Sequence, residues 1–241
     1  MQAVDSGLSG ICFTEHMPLP NNADAHLRLT TQDIAIYRQL IIGLKPIFRD
    51  QLEVYCGLEM DFIPGIEAFS QGLLATHQWD YIIGSVHRVG DLGYGIAPDV
   101  SDLESYWQDY YDLVKAAATS GLYDSIGHLD LPRRWVETPP NHLAIVLPVL
   151  DVIAAQGLAL DLNTSGYRNN LGGPHPSLEL LSAAYTRNIP IVLGSDAHAP
   201  TQVATGFTET IGLARQAGYS QAVIFKNRQL ETQPFTDTVW G

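Results

Sequence analysis

Six stretches of this sequence carry, at or near their ends, side chains that bind metals or move protons. They are Phe13-Thr14-Glu15-His16, Gly57-Leu58-Glu59, Gly84-Ser85-Val86-His87, Ile126-Gly127-His128, Leu160-Asp161-Leu162-Asn163 and Gly194-Ser195-Asp196-Ala197-His198. Imidazole and carboxylate together form the ligand set of zinc, iron or manganese. A single His after a strand, such as His16 or His128 alone, is more often a hydrogen-bonded loop residue. The full set reads differently, because titratable side chains crowded into one pocket without a cation cost several kcal/mol for each one left unpaired. The strand-end histidines His16, His87, His128 and His198, with the carboxylates Glu15, Glu59, Asp161 and Asp196 among them, therefore read as a metal-binding set.

Arginine placement points to the substrate. Arg133 and Arg134 follow the His128 stretch, and Arg168 follows Asn163-Thr164-Ser165-Gly166-Tyr167, so both groups lie just beyond strand ends on the side of the histidines. A guanidinium beside a metal cluster can clamp a phosphate with paired hydrogen bonds. Arg168 and Arg134 are the candidate phosphate contacts, against the alternative of solvated loop charges or salt bridges in an acidic protein. Of the other histidines, His77 and His142 read as surface residues, and His26 and His175 lie on loops that could reach the pocket.

The elements that position these groups follow from local pattern. Short apolar runs at Gly10 to Thr14, Val54 to Glu59, Tyr81 to Ser85, Tyr123 to Gly127, Ala159 to Asn163 and Ile191 to Ser195 alternate with longer amphipathic stretches, which implies a parallel sheet. In a β/α barrel the C-terminal strand ends converge on one face, so residues distant in sequence become neighbours around one pocket. Ile34, Tyr37, Ile41, Leu44 and Phe48 recur at helical spacing, as do Leu103, Trp107, Tyr110 and Val114. Ser101 with Glu104 reads as a capping box for the second helix. Trp107, Tyr110 and Tyr111 read as a packed helix face in preference to a stacking platform. Pro174, Pro176 and Glu179 mark another helix start, and Gly157 and Gly218 sit where helices should end. The loops Pro18 to Arg28 and Arg88 to Ser101 are long enough to border an active site.

Composition narrows the classes. The 241 residues are 46% hydrophobic, enough for one large core, and a barrel of this length is a single domain, 1–241. Thirteen basic against 26 acidic residues give a net charge of −13, which argues against a nucleic-acid partner. No apolar run approaches the roughly 20 residues that cross a bilayer, and the start lacks a basic-then-apolar signal, so the reading is cytoplasmic with no membrane partner. Cys12 and Cys56 lie alone in apolar runs and read as buried free thiols.

Together, Thr14-Glu15-His16 with Pro18, Gly57-Leu58-Glu59 with Asp61, Ser85-Val86-His87, Gly127-His128-Leu129-Asp130-Leu131, Asn163 to Arg168 and Gly194 to His198 resemble the polymerase and histidinol phosphatase (PHP) superfamily. Within it they are most similar to the histidinol-phosphate phosphatases, over nearly the whole chain. The resemblance implies a distorted (β/α)7 barrel and a cluster of two or three divalent metals (zinc, iron or manganese). It also implies hydrolysis of a small-molecule phosphate ester, L-histidinol phosphate, in histidine biosynthesis. Glu59 would bridge two metals, His87 and His128 would complete the shell of the second, His16 and His198 would hold a third, and Asp196 would belong to the first. Glu15 stands where the family usually has Asp. Members also open with a strand bearing a His-x-His pair, and nothing before Gly10 matches it. Gln2 to Gly7 resembles the end of a helix, so the resemblance implies a barrel lacking its first strand. A poorly active 241-residue form is then expected, either because residues lie upstream or because the chain is a degenerate relative. Retention of six later ligands favours the former.

The chemistry so implied is metal-assisted hydrolysis, with Glu59, Asp196 and His198 as catalytic residues. Water or His198 could protonate the leaving alkoxide, and Asp61 could meet the substrate's ammonium group or be a loop charge. The rival readings are another PHP-type phosphoesterase acting on a nucleotide or sugar phosphate, a metal-dependent amidohydrolase, and a non-catalytic barrel that binds metal or phosphate.

Overall fold

A computed structural model describes residues 2–90 and 100–235. In chain order the elements are α1 (Gln2–Asp5), β1 (Gly10–His16), α2 (Asp33–Phe48), β2 (Glu53–Asp61), α3 (Glu67–Ala75), β3 (Tyr81–Ser85), α4 (Leu103–Thr119), β4 (Ser125–Ile126) and α5 (His142–Ala155). There follow β5 (Ala159–Asn163), α6 (Ser165–Arg168), α7 (Leu178–Tyr185), β6 (Ile191–Gly194), α8 (Phe207–Ala217), β7 (Gln221–Lys226) and β8 (Gln229–Pro234). Strands β1 to β6 form one parallel sheet in sequential order. All their C-terminal ends therefore point the same way, as the alternating pattern requires.

Strand β4 is shorter than the run Tyr123 to Gly127. Its pairing still extends on both sides, because Asp124 N–H donates to Ile82 O at 2.9 Å and Gly127 N–H to Gly84 O at 2.9 Å. Gly84 is required there: a Cβ would sit 2.3 Å from the Tyr123 ring. The main core lies between sheet and helices, around Leu58, Ile82, Trp107, Tyr111, Leu150 and Leu160. The aromatic residues of α4 are thus core, as their spacing predicts.

Three expectations need correction. The N-cap of α4 is Asp102, whose carboxylate accepts from Ser105 N–H at 3.1 Å, and Ser101 lies one residue too early to cap. His142 is buried because α5 packs on α4, its Nε2 lying 2.9 Å from the Tyr111 hydroxyl and its ring 4.5 Å from that of Trp107. Cys56 is a buried free thiol, but Cys12 is only partly covered. Other signals map directly: Gly157 and Gly218 take φ of 68° and 115° just past α5 and α8, and Ser177 caps α7 beyond Pro176.

The antiparallel pair β7–β8 has no counterpart in the sequence reading. Asn227 and Arg228 turn it with φ of 50° and 62°, the left-handed geometry of a tight hairpin. Phe225 stacks on Tyr81 with ring centroids 5.1 Å apart, joining Val223 and Ala159 in a second, smaller apolar cluster. Among the described residues β1 and β6 end the parallel sheet, and both line one cavity of about 480 Å³ that reaches Glu59, Asp196 and His198. Of the loop Arg88 to Ser101, residues 91–99 lie outside the described residues. No helix among the described residues is long and apolar enough to cross a membrane.

Candidate metal centre

Parallel register does the first work of assembly. It sets Glu59 of β2 opposite His16 of β1, and Asp61 opposite Ser85 of β3, two residues before His87. The Glu59 carboxylate becomes the hub. Its Oε1 lies 3.1 Å from His128 Nε2 and 3.3 Å from His87 Nε2 and accepts from Ser85 Oγ at 2.6 Å, while Oε2 lies 3.5 Å from His16 Nδ1. His87 Nε2 and His128 Nε2 face each other at 3.2 Å. Two ring nitrogens and a carboxylate oxygen converging this closely can share a proton or aim their lone pairs at one cation. Ligand atoms of His16, Glu59 and His87 all lie within 4.8 Å of one another. The donor set fits a divalent cation of the zinc class.

Burial alone would raise the Glu59 pKa. Hydrogen bonds from His128 and His87, with the charges of His16 and His87, outweigh it and hold the carboxyl well below the usual range. Burial likewise disfavours the His87 cation, but the charge and hydrogen bond of Asp61, followed by those of Glu59, push His87 up to about 10. The Asp61 carboxyl, against the opposing effect of burial, is held at about 2 by His87 and Arg28.

Asp61 is not available to a substrate ammonium group. One of its oxygens accepts from His87 Nδ1 and the other pairs with Arg28 Nη1 at 2.7 Å. Arg28, at the end of the Pro18 to Arg28 loop, also donates to Met17 O at 3.2 Å and is 7% exposed. A carboxylate behind an imidazole fixes which ring nitrogen is free and where it points. The glutamate two residues earlier on the same strand faces that nitrogen, so β2 supplies both groups.

Replacing Asp61 by Ala should leave Arg28 buried without its counter-charge and destabilise the metal-free chain by about 3–5 kcal/mol, measured by urea unfolding. A loss near the ~0.5 kcal/mol typical of exposed positions would show that water solvates Arg28 instead. The His87 shift also fixes a pH dependence. Its folded pKa lies above its ordinary value of 6.5, so the stability it contributes is fully present below pH 6.5 and is lost as pH rises through about 10. Asp61 has the opposite sign, its contribution being present above 3.8 and lost as pH falls through about 2. The thermal midpoint of the metal-free chain should therefore be lower at pH 9.5 than at pH 6.5. An unchanged or higher midpoint would contradict the ion-pair account.

Asp196 and His198 sit beside this hub. The His198 ring centroid is 6.3 Å from that of His16, and its Nδ1 lies 3.0 Å from Asp196 O and 3.5 Å from Asp196 Oδ1. The His198 side chain is 68% exposed, the most open of the candidate ligands. Asp161, from the middle of β5, is buried next to them. Burial, aided by the charges of Asp196 and Glu59, raises its carboxyl to about 6 despite a hydrogen bond from Asn163 Nδ2 at 2.9 Å. Its Oδ2 also accepts from the His128 N–H at 3.4 Å, so it helps to hold the His128 main chain.

The arginines divide. Arg168, on the last residue of α6, donates through Nη2 to Ser195 O at 2.8 Å and Asp196 O at 2.6 Å, while its buried Nη1 has no hydrogen-bond partner among the described residues. Arg134 is exposed with its guanidinium 4.9 Å from the Trp135 ring. Arg133, its neighbour, turns inward and pairs with Asp130 at 2.8 Å. His26 is exposed, His77 packs edge-on against Trp79, and His175 is fully buried beside His128, with ring centroids 6.5 Å apart.

The family model described as PHP domain matches residues 1–165. The "Probable histidinol-phosphatase" of Deinococcus radiodurans is 43% identical over 234 residues, 95% of this chain and 89% of that protein. The "Histidinol-phosphatase" of Bacillus subtilis is 30% identical over 82% of this chain and 84% of its own length. Among solved structures, the fold is shared by histidinol phosphate phosphatase from Lactococcus lactis, complexed with zinc, L-histidinol and phosphate. Its TM-score is 0.79 at 22% identity, over 95% of this chain and 90% of that one.

Proposed function

The chain belongs to the PHP domain family, and we propose that it hydrolyses L-histidinol phosphate to L-histidinol and inorganic phosphate, as a phosphoric monoester hydrolase of histidine biosynthesis. The 43% identity to a histidinol-phosphatase over 95% of the chain carries this reading. The imidazole hub around Glu59 gives it a chemical basis.

In this reading Glu59, His87 and His128 would hold one cation, and His16, His198 and Asp196 would complete a cluster of two or three of the zinc class. When bound, the cluster supplies positive charge that makes water nucleophilic at neutral pH and offsets charge on the phosphoryl oxygens. The protein's own groups orient and screen. Asp61 holds His87 in the tautomer that leaves Nε2 facing Glu59. Arg168 anchors the turn after β6 with one guanidinium nitrogen and would keep another for a phosphoryl oxygen. With His198 taken as a ligand, a water would give the proton to the leaving alkoxide; His198, the exposed imidazole, would do so only where it does not ligate. Rate then comes mainly from positioning and electrostatics. The finer architecture proposed is a single-domain (β/α)7 barrel of the PHP type, in which a further strand would fit between β1 and β6. Support comes from the cavity that their outer edges share. In this reading the protein acts in the cytoplasm, where such a biosynthetic reaction would run.

The test is phosphate release by the zinc- or manganese-loaded chain from L-histidinol phosphate, set against a panel of nucleotide and sugar phosphates. A preference of about 100-fold or more in kcat/KM is expected if polar groups of the cavity pair with the amine and imidazole, because esters lacking them would leave those groups unpaired. Equal turnover across the panel would identify a general phosphoesterase. A full metal complement without turnover would identify a binding barrel.

A further inference from the structure

Behind His128 lies a buried pair that the reaction does not use. Asp130 and His175 are both fully buried, and His175 Nδ1 donates to Asp130 Oδ1 at 2.6 Å. The other oxygen of Asp130 accepts from Arg133 Nη1 at 2.8 Å and from Ser177 N–H at 2.8 Å. His175 is itself tied by both main-chain groups to Asn163, its N–H donating at 2.8 Å and its carbonyl accepting at 2.6 Å. The carboxylate thus joins the turn after β4 to the segment entering α7 and, through Asn163, to the end of β5.

That turn needs an anchor. His128 has a φ of 20°, outside the ordinary range for a residue with a side chain, and its carbonyl accepts from Leu131 N–H at 2.8 Å. Such a conformation persists only where the surroundings over-determine it. Asp130, two residues on, is the group in this turn with most tertiary bonds. His128 Nδ1 is buried without a hydrogen-bond partner among the described residues, so no side chain steers this ring from behind as Asp61 steers His87. Its aim depends on the main chain.

We propose that Asp130 and His175 are positioning residues, a buried carboxylate–imidazole clamp that fixes the His128 main chain and so aims its ring at the cation beside Glu59. The inference rests on reading His128 as a metal ligand, and the experiment separates the two.

Zinc affinity of the full chain would be measured by competition with a chelating dye for the parent, H128A, H175F and H175Q. Phe keeps ring volume but cannot donate to Asp130, whereas Gln keeps a donor. H175F should weaken zinc binding by about 10 to 100-fold, the range seen when support behind a ligand is lost. H175Q should recover most of that loss. The visible spectrum of the cobalt(II) form should change in H175F and return toward the parent in H175Q. Should H175F fail to fold, R133M removes a second Asp130 donor from the partly exposed side and should weaken zinc in the same direction. Parent affinity and spectrum in H175F, or in R133M where H175F cannot be made, would overturn the clamp even if thermal stability fell. Parent affinity in H128A would instead overturn the ligand reading.

Discussion

Replacing Glu59 by Gln is expected to lower kcat/KM for histidinol phosphate by at least about 1,000-fold, equivalent to about 4 kcal/mol at the transition state, and to strip bound metal from the chain. Three imidazoles look to this one carboxylate: His128 at 3.1 Å, His87 at 3.3 Å and His16 at 3.5 Å. Gln preserves the volume but removes the charge that a divalent cation and a buried imidazolium both require. Its amide would also turn two donors toward ring nitrogens meant to offer lone pairs. Metal per chain after dialysis and steady-state phosphate release check the expectation together. A Gln variant that keeps its metals and loses less than about tenfold in rate would mean that Glu59 only balances the histidines. Glu59→Asp is the companion, since it retains charge but shortens the reach to His16 and His128. It should keep part of the metal and a correspondingly larger part of the rate.

The hub was legible because parallel strands leave no choice about where their ends go. Once β1 to β5 are recognised as short apolar runs of one parallel sheet, their C-terminal ends share one edge, and the register that sets Glu59 opposite His16 brings His16, Glu59, His87 and His128 together. The pairs that support the hub were not legible. Arg28 and Asp61 belong to a loop and a strand far apart in sequence, and nothing local tells a buried ion pair from two solvated charges. The same holds for Asp130 and His175. Arg133 and Arg134 show the limit most simply, since adjacent residues on the short 3-10 turn Leu131–Arg134 point opposite ways. Spacing cannot decide which one faces inward. His142 follows two prolines at a helix start, a setting that usually faces water, and is buried only because α4 brings Trp107 and Tyr111 over it. The hairpin β7–β8 escaped because β8 is mostly exposed, and Asn-Arg at its turn is a weaker signal than Asn-Gly.

Arg168 carries the second large expectation. Its replacement by Ala should weaken phosphate-ester turnover by roughly 10 to 1,000-fold, the consequence of losing about 1.5–4 kcal/mol of contact to the transition state. Its position explains why one side chain can matter this much. Nη2 is spent on the carbonyls of Ser195 and Asp196, which lie between β6 and His198, so the guanidinium braces the turn that presents two of the candidate ligands. Nη1 is buried yet has no hydrogen-bond partner among the described residues, a state that costs free energy unless a ligand supplies an acceptor. On the proposed phosphatase reading, a phosphoryl oxygen becomes that acceptor once the side chain opens toward the cavity. Removing Arg168 should therefore raise KM as well as lower kcat, because the contact is present in the ground state and strengthens in the transition state. The cation beside Glu59, His87 and His128 should stay, since none of those three is bonded to Arg168 in the hydrogen bonds described. Arg168→Lys separates the roles: it keeps a positive charge but cannot brace two carbonyls and reach phosphate at once. It should fall between Ala and the parent. Parent rates in the Ala variant, with metal content intact, would show that Arg168 only secures the turn after β6 and that phosphate is held elsewhere.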